Sequence, residues 1–120
     1  MKKTKTVSLW TEATYLVRDA EENINSKDNY DPHVVCMNCK NGIIKFLNSY
    51  LLQRNVIPNE IQNMFILLHQ CRQIDPSFEE VDLTHVNCRF EKINEDHCTD
   101  LSRLKKCLEV THTIMNLTEL

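Results

Sequence analysis

Apolar residues recur at three- and four-residue intervals along most of this chain. From about Ser8 to Asn25, the residues Trp10, Ala13, Val17, Ala20 and Ile24 fall on one side of a helix. Glu12, Arg18, Asp19, Glu21 and Glu22 mostly cover the rest, and a polar loop follows from Asn25 to Asn29. Asp31-Pro32 reads as a helix start, an Asp cap followed by Pro at the first helical position. The second helix is expected from about Pro32 to Arg54. Its stripe is Val35, Cys39, Ile43, Phe46 and Tyr50, widened by Cys36, Ile44, Leu47 and Leu51. At 1.5 Å per residue it spans about 34 Å, and so broad an apolar surface belongs at the centre of a fold. Gly42 sits in the middle of this helix and is the only glycine in the chain. Glycine there costs about 1 kcal/mol against alanine, so it is expected to admit a close neighbouring helix or to mark a kink.

Pro58-Asn59-Glu60 opens a third helix, about Asn59 to Ile74, carried by Ile61, Met64, Phe65, Leu68 and Cys71 or Arg72. Asp75-Pro76 stops it. Phe78, Val81, Leu83, Val86 and Phe90 suggest a short helix between Phe78 and Phe90, and Glu91 to Asp100 reads as polar loop. Thr99 or Asp100 caps the last helix, about Asp100 to Asn116, on Leu101, Leu104, Leu108, Thr111 and Met115. Four main helices with short connections predict an all-α, up-and-down bundle in one domain over residues 1–120. The wide apolar face of the second helix points to a homodimer.

Composition narrows the class further. The chain has 120 residues, 42% hydrophobic and 26% charged, with a formal net charge of −3. A single glycine, where a chain this long averages roughly eight, excludes a glycine-rich phosphate loop and argues against a turn-rich β-sandwich or barrel. Mild acidity disfavours indiscriminate nucleic-acid binding. Lys2, Lys3 and Lys5 precede no apolar run, so no secretory signal is expected. No stretch approaches the length of a spanning helix. The expected location is the cytoplasm, and the six cysteines are expected as reduced, mostly buried thiols.

Cys36-Met37-Asn38-Cys39 is a Cys-x-x-Cys, but it lies inside an amphipathic helix with no strand before it, which sets it apart from the redox-active motif. Zinc would need further ligands, for which Cys88, His97 and Cys98 are the available group, without the paired spacing of a zinc knuckle. No metal or cofactor site is expected. For binding, the candidate cations are Lys40 and Lys45 on the second helix and Arg103, Lys105 and Lys106 on the last, each weighed against an ordinary solvated helix face.

Four pieces of the chain carry a family resemblance. They are the opening helix with Trp10, Ala13 and Val17-Arg18-Asp19-Ala20; the central run Val35 to Leu47 through Lys40, Gly42 and Lys45; the pair Arg89-Phe90; and the last amphipathic helix. In this layout the chain resembles the HEPN domains, small all-α domains. The resemblance implies a four- or five-helix up-and-down bundle, usually a homodimer. Some members are metal-independent ribonucleases of toxin–antitoxin and defence systems, some pair with a separate small nucleotidyltransferase, and some bind without catalysis.

The ribonuclease members carry an Arg, a polar residue and a His, with four to six residues between Arg and His. Here Arg89 and His97 are separated by seven residues, and Phe90 stands where the polar residue would be. The chemistry would use His97 as the base for the 2′-hydroxyl and Arg89 to stabilise the phosphorane charge. His85, four residues before Arg89, is an alternative base. The structural alternative makes Arg89 an ion-paired helix-end residue and His97 a loop residue. The reading is therefore a HEPN-like module binding nucleic acid, nucleotide or protein without catalysis; the alternative is a metal-independent endoribonuclease using Arg89 and His97.

Overall fold

The computed structural model describes residues 2–26, 31–86 and 101–119. Among these the chain is all-α, with four α-helices and no strand. The helices are α1 (Lys2–Asn25), α2 (Pro32–Gln53), α3 (Met64–Ile74) and α4 (Leu101–Leu117), with short 3-10 turns at Pro76–Glu80 and Leu83–His85.

The second helix is the hub, packing against α1, α3 and α4. Asp31 starts it, its side chain accepting from the backbone N–H groups of His33 and Val34, with Pro32 at the first helical position. Val35, Cys39, Ile43, Phe46 and Leu47 are fully shielded from solvent. From Phe46 to Leu51 every residue is buried, polar Asn48 and Ser49 included. Each apolar side chain of this kind contributes about 1.5–3 kcal/mol when fully buried.

Helix α1 runs antiparallel to α2. The Ser49 hydroxyl donates to the Thr6 carbonyl at 2.9 Å, and Lys45 Nζ lies 2.9 Å from Glu12 Oε2. Ala13, Leu16 and Val17 meet Gly42. The partners descend along α2 as they ascend along α1. The Thr6–Ser49 contact accounts for the early start of α1, ahead of Ser8. Residues with no amphipathic signal of their own are helical because α2 supports them. Asn23 Oδ1 accepts from Asp31 N at 2.6 Å and so ties the two helices together at their connection. Helix α4 closes the core with Leu104, Cys107, Leu108, Thr111 and Ile114, and Gln53 Nε2 donates to the Thr118 carbonyl at 3.1 Å. Two edge-to-face aromatic pairs complete the packing, Trp10 on Phe46 at 5.9 Å and Tyr50 on Phe78 at 4.8 Å.

Two expectations are corrected. The third helix begins at Met64, not Asn59, because the Asn63 side chain caps the N–H groups of Phe65 and Ile66. The Asn59 side chain meanwhile takes the Ile61 N–H into a turn. The inward face of α3 is Met64, Leu67, Leu68 and Cys71, while Ile61 and Phe65 are exposed. The short helix expected from Phe78 is instead two 3-10 turns as far as Val86. Asp75 and Asp82 start them, accepting from Ser77 N and Thr84 N. Arg72 clamps the segment to α3 by donating from Nε to the Phe78 carbonyl at 3.2 Å and from Nη2 to the Val81 carbonyl at 2.7 Å.

The Ser77 backbone and hydroxyl hold the Asp75 carboxyl below its ordinary range. A depressed folded-state pKa stabilises above the unfolded value, and that stabilisation disappears as pH falls through the folded value. Thermal melts from pH 7 into acid should therefore show the wild type's advantage over Asp75→Ala shrinking steadily; a gap independent of pH would contradict the assignment.

Gly42 meets α1 without a kink-forming residue beside it. A Cβ there would sit 3.6 Å from the Ala13 carbonyl oxygen and 3.8 Å from Val17 Cγ2, which is ordinary contact. The helix propensity of alanine then decides the outcome. Gly42→Ala should stabilise by up to about 1 kcal/mol, read as a higher denaturant midpoint at unchanged slope. Gly42→Leu, which would overpack the seam, should lower it.

Candidate functional site

The connection from α2 to α3 is held by side-chain amides. Asn55 turns the chain at φ 61°, a left-handed conformation that asparagine tolerates, and Val56 N donates back to the Leu51 carbonyl at 2.9 Å. Gln70 on α3 then grips the loop from both sides. Its Nε2 donates to the Ile57 carbonyl at 3.1 Å, and its Oε1 accepts from Asn59 N at 2.8 Å. Gln62 donates to the Asn59 carbonyl at 2.8 Å and accepts from Asn48 Nδ2 of α2 at 2.5 Å. On this frame three large apolar side chains face solvent: Ile57 at 85% exposure, Ile61 at 63% and Phe65 at 54%. Only one charged residue, Glu60, occurs between Asn55 and Gln70. A fixed loop that holds apolar side chains in water, with almost no charge around them, has the character of a contact surface.

A concave feature lies between the C-terminal part of α1 and α4. It is an open groove of about 560 Å3. Ile24 and Leu108 supply apolar lining, Asn25 and Thr113 neutral polar groups, and Glu21, Lys105, Glu109 and His112 the ionisable ones. His112 Nε2 contacts Glu21 Oε1, joining α4 to α1.

The five cations proposed for binding do not form one surface. Lys45 is paired with Glu12. Lys40 is partly exposed on the same helix. On α4, Lys105 lines the groove. Exposed Arg103 and Lys106 lie two residues before it and one after, which at 100° per residue turns both away from Lys105 and, three residues apart, sets them beside each other. Arg89 and His97 lie outside the described residues, as do Tyr30, Cys88, Phe90, Cys98, Thr99 and Asp100, and so does the side chain of His85. Among the described residues no group of three or more His, Cys, Asp or Glu is placed to hold a metal ion, and no helix is long and apolar enough to cross a membrane.

Cys36, Cys39, Cys71 and Cys107 are all buried. Burial pushes the Cys71 thiol up to about 12, so it is not a nucleophile at neutral pH.

Compared with protein-family models, with curated proteins and with solved structures, the chain matches none of them.

The apolar period of the sequence puts Ile61 and Phe65 on a packed stripe, whereas both are exposed. The signal against this was the amide-rich run Asn59, Gln62, Asn63 and Gln70, whose members fold back on the main chain. The groove had no comparable signal, since Glu21 and His112 are 91 residues apart in the chain.

The raised Cys71 pKa carries its own test. A thiol that holds its proton more tightly when folded stabilises below its ordinary value of 9.0, and that stabilisation is lost as pH rises toward the folded value. Iodoacetamide at pH 8 should leave Cys71 unmodified by mass spectrometry until urea unfolds the chain. Modification of Cys71 in the native state at the rate of a small thiol would refute this.

Proposed function

We propose that this chain is a HEPN-like helical module that acts by holding a protein partner, without catalysis, through the exposed side chains of the α2–α3 connection. The observation that carries this reading is the amide-braced loop presenting Ile57 and Ile61, followed by exposed Phe65 in the first turn of α3. The bracing orders the loop before any partner arrives, which removes much of the entropic cost of docking. Covering the three side chains then contributes roughly 1.5–3 kcal/mol for each one fully buried.

The first partner is a second copy of the chain. A molecule of net charge −3 repels its copy, and the loop is a surface where two copies meet with little charge, Glu60 aside. A separate nucleotidyltransferase in a cytoplasmic toxin–antitoxin or defence system is the other partner that the HEPN resemblance suggests. Protein is favoured over RNA or nucleotide because the candidate cations do not gather in one place: Lys45 is paired with Glu12, and Lys105 lies on a different side of α4 from Arg103 and Lys106, whereas phosphate binding gains from clustered cations.

Sedimentation equilibrium should show reversible self-association of the wild type. The variant Ile57→Ser/Ile61→Ser/Phe65→Ser should remain monomeric with an unchanged circular dichroism spectrum, because none of the three side chains is in the core. A wild type that stays monomeric at millimolar concentration would overturn this use of the loop. Incubation with mixed RNA in EDTA completes the test. Cleavage by the wild type but not by Arg89→Ala/His97→Ala would replace the binding reading with the ribonuclease one.

A further inference from the structure

The α1–α4 groove shares no residue with the α2–α3 loop and is organised differently. Its lining combines an aliphatic surface, Ile24 and Leu108, with ionisable groups ordered along α4. Lys105 comes first, Glu109 one turn later, and His112 about one turn after that. His112 is engaged with Glu21 of α1. The Glu109 carboxylate has no such partner; among the described residues it enters no salt bridge. Its backbone carbonyl alone is engaged, accepting from the Thr113 hydroxyl at 3.0 Å.

The end of α1 adds to the negative character. Helix α1 finishes at Asn25, which lines the groove, and its last turn contains no basic residue. The negative end of a helix dipole therefore faces this region without a compensating side chain from α1. Arg18, one turn before Glu21, is turned to Tyr15, with its guanidinium carbon 5.6 Å from the ring centroid. Two carboxylates and a helix C-terminus are thus set against one ammonium group and one imidazole, beside an aliphatic surface.

We propose that this groove is a binding site for the basic side chain of a polypeptide, a lysine or arginine. The methylene stem lies on Ile24 and Leu108 while the cationic head meets Glu109 and the Glu21 side of the groove. A long basic side chain is amphipathic in this sense, apolar along its length and charged at its tip. Lys105, at the opposite end of the row, is placed to donate to a carbonyl of the bound segment. The volume of about 560 Å3 accommodates one such side chain with its flanking backbone.

The test uses the full chain and small probes: Nα-acetyl-arginine amide, Nα-acetyl-norleucine amide and Nα-acetyl-glutamate amide, followed by amide chemical-shift mapping. The arginine probe should shift the amides of Glu21, Ile24, Leu108, Glu109 and His112 in a saturable way. The other two probes should not. Glu109→Gln should weaken binding about two- to fivefold, the range expected for one solvent-accessible charge pair, and Lys105→Glu should strengthen it by a similar factor. Opposite responses to these two surface changes, in variants whose unperturbed spectra show an intact fold, report charge recognition and not stability. Equal shifts with norleucine would reduce the groove to an apolar cleft and overturn the proposal, as would preference for glutamate or saturable shifts mapping elsewhere. Because self-association through the α2–α3 loop is read by sedimentation and abolished by the Ile57, Ile61 and Phe65 changes, either proposal can fail without the other.

Discussion

The seam between α1 and α2 sustains the rest of the molecule. Ala13, Leu16 and Val17 lie directly against Gly42, so the two backbones approach where side chains are smallest. That contact sets the axis along which the Thr6–Ser49 and Glu12–Lys45 pairs form. With α1 fixed, one side of α2 is covered, and its remaining apolar surface is left for α3 and α4. Gly42 adds no volume to the seam, but space exists for a methyl group, so closeness here is permitted by the small residue and not forced to its limit.

From that seam outward, the polar residues act mainly as stops and braces. Asp31, Asn63, Asp75 and Asp82 each turn a side-chain oxygen to a backbone N–H and begin a helical segment there. Arg72 holds the 3-10 segment by its carbonyls, and Gln70 holds the loop that carries Ile57 and Ile61. The same bracing that shortens α3 at its start leaves apolar residues facing water. Folding and the proposed docking surface meet at Asn59 and Asn63: Asn63 caps the start of α3, and Asn59 turns the loop that carries exposed Ile61.

The α1–α4 groove arises from a different cause. Polar residues of α1 and α4 face each other there beside Ile24 and Leu108. Glu21 and His112 bridge it, and Glu109 remains open toward it. Nothing in the local pattern of either helix requires this arrangement; each residue reads as an ordinary solvated position until the two helices are placed side by side.

Helical class, the positions of α2 and α4 and of α1 from Ser8 onward, and the central place of α2 were legible because they depend on local periodicity and on the Asp31-Pro32 start, which act between near neighbours in the chain. The cap at Asn63 was written in the sequence too, but competed with an apolar period that continued through it, and hydrogen bonds from Gln70 and Asn48, on separate helices, decided the outcome. The exposure of Phe65 and the pairing of Glu21 with His112 were decided only by tertiary structure. They depend on which side of each helix faces a neighbour, and that choice is made by packing across long separations, where sequence periodicity carries no information about which partner arrives.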